Sequence, residues 1–528
     1  MKETNAERIK REKDGLDVWT DILRYARDGS APIDPDDLDR LKWYGLYTQQ
    51  PVEDCLFMLR IKAPNGILSA EQLETVGWLS EVYAKSSGDL TTRQDIQLHN
   101  VRIGDVPHII DQLQSVGLTT QEACGDVVRN VVGCPLAGVD DDELVDASPL
   151  VRRVMQLFIS NPDFSNLPRK FKISISGCAQ RCAQHEINDI GLVAVTNDEG
   201  EVGFDLWVGG GLGARPRLAE RLGAFIWYDE VPEVVTRIVE LFRDHGDRSD
   251  RRKARMKFLL AKWGVSRFRT ELEARLGRNL DDSGLSQPHR VPRRNHLGIG
   301  AQRQAGLHYI GAAVLAGRIS GAHLTSVAGL ARRYASGRVR LTNAQNLIVL
   351  DVPRQHVGIL DSELAALGLD SHASPFRRGT VACTGSQFCK LAIVETKDRA
   401  KEIVRHLEAA LPDFRNDLRI SVTGCINSCA QYQICDIGLV GVNGQIDGEE
   451  ANLFQIHLGG HIGHGARFGV KLSRRVRVEN AKYYIENIVR TFHAERWPGE
   501  TFADYVAREE PERLERLDET QRVKEVFV

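Results

Sequence analysis

FKISISGCAQRCAQHEINDIGLVAV at residues 171–195 returns as LRISVTGCINSCAQYQICDIGLVGV at residues 418–442, in register over 25 residues with an offset of 247. The repetition extends outward from this pair. LTTRQDIQLHNVRIGDVP at 90–107 returns as LTNAQNLIVLDVP at 341–353, and WVGGGLGARPRL at 207–218 returns as HLGGHIGHGARF at 457–468. The elements follow in the same order both times, so the chain is a two-fold internal duplication and not a short-period solenoid. Similar halves tend to pack about a pseudo-two-fold axis, and the cleft between them is the natural ligand site.

Within each half the pattern alternates between strands and helices. FMLRIKA at 57–63 reads as a strand, AEQLETVGWLSEVYAK at 70–85 as an amphipathic helix, and LTTRQDIQLHNVRI at 90–103 as a strand pair turning near Gln94–Asp95. VPHIIDQLQSVGL at 106–118 is a second helix. That order predicts an α+β fold with helices on one face of a sheet. Residues 1–40 are charged and helical in pattern, and SQPHRVPRRNHLG at 286–298 has the composition of a linker. The tail from Pro498 is charged and helical, and is expected only to pack on the surface.

A chain of 528 residues with 42% hydrophobic and 27% charged residues suits three or four globular domains. Its net charge of -3 gives no reason to expect nucleic acid. The basic clusters Arg251-Arg252-Lys253, Arg293-Arg294, Arg332-Arg333, Arg377-Arg378 and Arg474-Arg475 read as solvated faces, or as docking patches for an acidic electron carrier. The N-terminus lacks the apolar core of a signal peptide, and no apolar run reaches membrane-spanning length. Ten cysteines in so long a chain favour metal or redox chemistry over a disulfide scaffold, which makes a reducing cytoplasm the expected home.

Four of the cysteines form two close pairs. ACTGSQFCKLA places Cys383 and Cys389 five residues apart, and TGCINSCAQ places Cys425 and Cys429 three apart. Common zinc modules favour two-residue gaps, so a cubane iron–sulfur cluster is the better reading. Cys178 and Cys182 stand where Cys425 and Cys429 stand in the other copy, but Cys124 and Cys134, their only nearby partners, are nine residues apart instead of five. Buried thiols are therefore expected there, and Cys55 and Cys435 are expected in the core.

The first half carries cations instead. Arg93 lies in TTRQ, Arg129 in GDVVRNVVGCPLAG, and Lys170 and Lys172 in LPRKFKISISG. Alternate positions on a strand share a face, so the two lysines can project together. The four cations would form a pocket for a small oxyanion opposite the cluster. Their counterparts have diverged: Ala344 stands at the place of Arg93 and Arg419 at that of Lys172. The run VGGGLGA at 208–214 fits the loose dinucleotide pattern only weakly. Its recurrence as LGGHIGHG suggests backbone approach to one large cofactor, with His457, His461 and His464 as polar lining or, less readily, as metal ligands.

These motifs resemble the siroheme-dependent assimilatory nitrite and sulfite reductases, from about residue 40 to 490. The two cysteine pairs are that family's cluster signature, and LKWYGLYTQ, LTTRQDIQLHNV, VRNVVGCPLAGV and NLPRKFKISISG are similar to it as well. The resemblance implies a 4Fe–4S cluster on Cys383, Cys389, Cys425 and Cys429, with Cys429 bridging to siroheme iron. It implies that Arg93, Arg129, Lys170 and Lys172 surround the substrate. Gln302, Arg303, Arg340 and Asn346 carry over more weakly as siroheme contacts. The implied fold has ferredoxin-like half-domains at 41–122 and 299–370, pairing about a pseudo-two-fold. Two larger α+β domains follow at 123–285 and 371–497, with an N-terminal segment at 1–40, a linker at 286–298 and a tail at 498–528.

Six-electron reduction of nitrite to ammonia, or of sulfite to sulfide, is the implied activity, with one-electron delivery from a ferredoxin-like acidic donor to a monomer. A pure electron-transfer protein would not need the cation set, and a zinc-stapled binding module would have other cysteine gaps. The extent of the resemblance leans to nitrite. Lys172 stands where nitrite reducers commonly carry asparagine, and Cys134 also departs from their pattern. The extra cation suits sulfite, which bears more negative charge.

Overall fold

The computed structural model describes residues 3–29, 32–178, 180–284, 295–446 and 449–516. Residues 286–294 of the expected linker at 286–298 lie outside the described residues. The chain opens with helices Asn5–Glu12, Trp19–Asp28 and Pro35–Arg40, the first and last capped by Thr4 and Asp34.

The first half contributes β1 (Leu46–Thr48), β2 (Leu56–Ile61), β3 (Ile67–Ser69), β4 (Gly88–Leu90) and β5 (Ile96–Arg102). Next come β6 (Val132–Gly133), β7 (Ile173–Ser176), β8 (Ile190–Thr196), β9 (Val202–Val208), β10 (Glu220–Trp227) and β11 (Asp281–Asp282). The second half contributes β12 (Gly298–Ala301), β13 (Leu307–Ala312), β14 (Arg318–Ile319), β15 (Arg338–Leu341) and β16 (Leu347–Pro353). It ends with β17 (Thr380–Ala382), β18 (Ile420–Thr423), β19 (Ile437–Ile446), β20 (Glu449–Leu458) and β21 (Val470–Arg477).

The two half-domains exchange edge strands. Their sheets run β1-β2-β5-β4-β14 and β12-β13-β16-β15-β3, so each half completes the other's sheet. β3 pairs with β15 through Val339↔Leu68, and β14 pairs with β4 through Arg318↔Asp89. The exchange follows from local sequence. Ser69 and Ser320 cap the helices Ala70–Tyr83 and Gly321–Tyr334 immediately after each exchanged strand. Those helices then cross closely. A Cβ at Gly321 would stand 2.4 Å from the carbonyl oxygen of Gly77, so only glycine permits this approach. Leu73, Val76, Leu324 and Val327 from the two helices lie in one shared core.

The larger sheets repeat one design. β6, β7 and β8 run parallel and β9, β10 and β11 continue antiparallel; β17, β18 and β19 run parallel and β20 and β21 antiparallel. The pairs Ser174↔Gly191 and Ser421↔Gly438 have the same register. In each sheet two strands therefore end side by side, and their carboxyl ends are where ligands gather in such sheets.

Two expectations need correction. The tail does not merely lie on the surface: helix Phe502–Arg508 buries Phe502, Tyr505 and Val506 in the core of the second large domain, with Leu514 beside them. Its charges mask a buried stripe at helical spacing. Cys55 is exposed, in a turn at φ 49°, whereas Cys435 is buried as expected.

Candidate functional site

Cys383 follows β17 and Cys425 follows β18, and the parallel pairing of these strands sets the two thiols side by side. The Gly424 amide donates to Cys383 Sγ at 3.1 Å. The loop between Cys383 and Cys389 is closed by Cys389 N–H bonding to the Gly385 carbonyl at 2.9 Å, and by Thr396 Oγ1 donating to the Cys383 carbonyl at 2.6 Å. Cys429 closes the second turn after Ser428, which adopts φ 56°. Three of the four thiols are partly covered and Cys429 is exposed.

The other half reaches across to this turn. Thr92 Oγ1 donates to the Cys429 carbonyl at 3.0 Å, and its repeat counterpart Asn343 donates to the Cys182 carbonyl at 2.8 Å. Gln184 and Gln431, 247 residues apart, exchange amide hydrogen bonds at 2.9 and 2.8 Å, which places the pseudo-two-fold axis between them. Thr92 is the neighbour of Arg93, so one hydrogen bond fixes the cation loop of the first half against the cysteine turn of the second.

The four predicted cations come together there. Arg129 is pinned by carbonyls, its Nε and Nη2 donating to Gly125 at 3.1 and 2.8 Å. Arg93 donates to Asn188 Oδ1 at 3.0 Å and to the Asn130 carbonyl at 2.5 Å, while its Nε is buried without a partner. Lys170 and Lys172 are half-buried, and among the described residues neither ammonium has a hydrogen-bond or ion-pair acceptor. Burial, and then the charges of Arg255, Arg129 and Arg169, lower Lys170 to about 7, and Cys429 lies within its electrostatic reach. Burial, with Arg93, Lys170 and Arg255 behind it, pushes Lys172 well below the ordinary ammonium range. Asp189 is already engaged by the Lys172 amide and by Arg255, both at 2.8 Å.

Sequence reasoning missed two further cations. Lys62 is buried, its Nζ has no partner, and burial lowers it to about 8. Arg255 joins the set from the start of helix Met256–Trp263. The signal for Lys62 was present, since FMLRIKA carries Arg60 and Lys62 at alternate positions of an otherwise apolar strand. Arg255 had no such signal.

An excess of buried and half-buried cations with unused donors is costly unless an anionic ligand answers it. This fits an acid-bearing tetrapyrrole and a small anion. The four thiols at two strand ends fit a cubane cluster.

The residues carried over more weakly as siroheme contacts already have protein partners to differing degrees. Gln302 is bonded to Asp351 in both directions, Asn346 Oδ1 accepts from the Val314 amide, and Arg303 pairs with Glu143 at 2.5 Å. Arg340 is buried, with Nε unpartnered and its charge weakened by burial to about 10. Of these four, Arg340 is the one with a buried donor that has no partner. The glycine runs serve the interface between halves: Gln433 donates to the Gly213 carbonyl and the Gly463 amide donates to Glu186, both at 2.7 Å. His457, His461 and His464 belong to no group of converging metal ligands among the described residues. Cys124 stands apart from the other first-half thiols, against Arg60.

The comparisons with known proteins agree with this geometry. Residues 124–280 and 373–520 match the nitrite and sulphite reductase 4Fe–4S domain, and residues 49–116 and 300–367 match the nitrite/sulfite reductase ferredoxin-like half domain. The chain is 41% identical to a protein named sulfite reductase [ferredoxin] from Mycobacterium tuberculosis, over 96% of this chain and 95% of that one. It is 38% identical to the assimilatory ferredoxin-dependent nitrite reductase of Haloferax mediterranei, over 95% and 92%. The solved structure of Mycobacterium tuberculosis NirA superposes with a TM-score of 0.93 at 41% identity, covering 97% of this chain and 98% of that one. Duplicated half-domains, cysteine turns and cation face together show that the chain belongs to the nitrite and sulfite reductase family, oxidoreductases that pair a 4Fe–4S cluster with siroheme.

Proposed function

We propose that this chain reduces sulfite to sulfide with electrons from a ferredoxin-type carrier. The observation that carries the choice of anion is the lysine pair. Lys170 and Lys172 stand two apart beside two arginines, and neither ammonium has a protein acceptor among the described residues. Burial and the neighbouring cations press Lys172 toward its neutral form, and a bound dianion opposes that pressure more strongly than a monoanion in a site where water screens poorly, so the lysine pair favours sulfite. The relatives at 41% identity named as sulfite reductases support the same reading. The sequence itself leans to nitrite, and relatives at 38% identity named as nitrite reductases keep that reaction as the second reading.

In this reading Cys383, Cys389, Cys425 and Cys429 hold the cluster, and Cys429 adjoins siroheme. When bound, these groups supply the anion with electrons one at a time. Arg93 and Arg129, permanently charged and clamped by carbonyls, hold oxyanion oxygens. Lys170, near neutrality in its pKa, binds as an ammonium and gives up a proton as oxygen leaves. Leu391 and Ile426 are exposed beside Cys389 and Cys425, an apolar patch where a carrier would dock close to the cluster. Of the basic pairs, Arg332, Arg377 and Arg378 are spent on Glu74, Glu408 and Asp417, which weakens them as docking charges.

Steady-state kcat/KM for both anions, with reduced ferredoxin, tests the proposal. Sulfite should be preferred, and Lys172→Asn should lower sulfite at least tenfold more than nitrite, about 1.4 kcal/mol of differential binding. A nitrite preference in the unaltered enzyme, or equal losses in the variant, would overturn it.

A further inference from the structure

The first half repeats the cysteine loops of the second half at most of their ligand positions. Hydrogen bonds fix the equivalence of the two cysteine loops. The Leu144 amide bonds to the Gly177 carbonyl at 2.9 Å and the Ile393 amide to the Gly424 carbonyl at 2.8 Å. The Asp140 amide bonds to the Leu136 carbonyl at 3.0 Å, as the Cys389 amide does to Gly385 at 2.9 Å. Cys134 therefore stands at the place of Cys383, Cys178 at that of Cys425, and Cys182 at that of Cys429. Only the fourth thiolate is replaced, by Asp140. Cys124, expected from spacing to be the partner of Cys134, lies outside this loop, against Arg60.

A histidine from the C-terminal end of the linker, His296, enters this thiol group. Cys134 Sγ, Cys182 Sγ and a ring nitrogen of His296 all lie within 4.8 Å of one another, with Cys134 Sγ to His296 Nε2 at 3.9 Å. Cys178 Sγ is 3.4 Å from Cys182 Sγ. All four residues are buried, the cysteines in an apolar shell of Leu136, Ala137, Val139, Ile348 and Leu350. A zinc ion with Zn–S near 2.3 Å and Zn–N near 2.0 Å puts neighbouring ligand atoms about 3.5–3.8 Å apart. Both measured distances fall close to that edge. A cubane is larger than a single ion and needs its thiolates further apart. The mutually close ligand atoms are those of Cys134, Cys182 and His296, with Cys178 joined to them through its 3.4 Å contact with Cys182, and among the described residues Cys383, Cys389, Cys425 and Cys429 form no such group.

We propose that Cys134, Cys178, Cys182 and His296 hold one tetrahedral zinc ion as a closed structural site. Binding forms three Zn–S bonds and one Zn–N bond, releases the thiol protons to solvent, and involves no change of oxidation state. The site leaves no coordination position for a substrate. Its role is positional. It ties residue 296, at the entry to the second half, to the first-half turn whose Cys182 carbonyl accepts from Asn343. The duplication would then carry a redox cluster in one copy and a zinc staple in the other.

Metal analysis of the full-length holoenzyme, produced with zinc and iron in the medium and purified anaerobically, tests this. About one zinc per chain is expected besides the iron of the cluster and siroheme. Cys182→Ser and His296→Ala should each lower zinc at least about fivefold while iron and the visible spectrum stay unchanged. His296→Cys should retain zinc through a four-thiolate set, which separates ligand loss from misfolding. The proposal is overturned by wild-type protein without zinc, by zinc that persists in both ligand variants, by additional iron in its place, or by a Cys178–Cys182 disulfide in the anaerobic protein.

Discussion

Asp89 tests how the cysteine loop is held. Its carboxylate accepts from Arg318 Nε at 2.6 Å, lies 2.9 Å from His99 Nε2 and 3.5 Å from Lys397 Nζ. Its side chain is 2% exposed and that of Lys397 1%. The three cationic or ring neighbours, chiefly Lys397, hold Asp89 far below the ordinary carboxylate range against the opposing effect of burial. His99 in turn stacks on Phe388, the neighbour of Cys389, with centroids 4.1 Å apart. Asp89→Asn removes the countercharge of the buried Lys397 and leaves it, among the described residues, the Ala316 carbonyl at 2.5 Å as its hydrogen-bond acceptor. Breaking one side of a buried pair costs about 3–5 kcal/mol, and the retained amide contact to Arg318 recovers about 1 kcal/mol, for a net cost of about 2–4 kcal/mol. A multidomain cofactor protein has no single unfolding free energy, so the cost is best read as local opening. Amide hydrogen exchange over residues 383–405 should quicken roughly 30- to 1,000-fold in the variant, a tenfold change per 1.4 kcal/mol. The sign with pH follows: because the folded pKa is depressed, the stabilisation is full above the unfolded carboxylate pKa and fades as pH falls below it. Asp89→Leu combined with Lys397→Met should restore most of the protection. Exchange within about threefold of wild type in Asp89→Asn would refute the network's role.

Two further outcomes follow from the site and the tail. Lys170 titrates near 7, so its charge is present below that pH and lost as pH rises through it; sulfite kcat/KM should fall on that side, and Lys170→Arg should move the limb upward because a guanidinium stays charged. Sulfite's own ionisation is common to both proteins, so an unchanged ratio across pH would remove Lys170 from anion binding. Tyr505→Ala should cost about 3–5 kcal/mol of local stability in the second large domain, seen as rapid protease cleavage near the tail, whereas a peripheral tail would leave cleavage unchanged.

The duplication and the two cysteine pairs were legible because both leave marks at fixed spacing. The cation face was legible in part: Arg93, Arg129, Lys170 and Lys172 sit in turns or at strand entries, where a charge is conspicuous. Three features were not legible for physical reasons. The exchange of β3 and β14 depends on two- and three-residue strands that carry no periodicity. The burial of Tyr505 is hidden by the charged face of its own short helix. Gln302 and Asn346 look like free amides in sequence, but the fold commits both to the polypeptide.

The proposed placing of the cluster in one copy alone follows from a single position. The two loops have equal length and the same closing hydrogen bonds, so backbone geometry does not distinguish them. Residue 389 is a thiol and residue 140 a carboxylate. Cubane iron takes its protein ligands as thiolates, and three thiolates with a carboxylate at the fourth corner make a poor match. The cations diverged in the complementary sense. Lys172 and Arg419 occupy equivalent strand positions, and their amides bond to the equivalent Asp189 and Asp436 at 2.8 and 2.7 Å. Arg419 then spends a guanidinium nitrogen on the Ile434 carbonyl at 3.3 Å, whereas Lys172 keeps its ammonium unspent. Arg93 has become Ala344. The crossing bond from Thr92 to Cys429 joins the surviving cation face to the surviving cluster, and the same bond from Asn343 to Cys182 joins the two lapsed copies. Each composite site draws its halves from opposite repeats, so losing a ligand in one copy of the turn and a cation in the other copy of the loop disables the same site twice. One complete site is left intact, and the other is released to serve as structure.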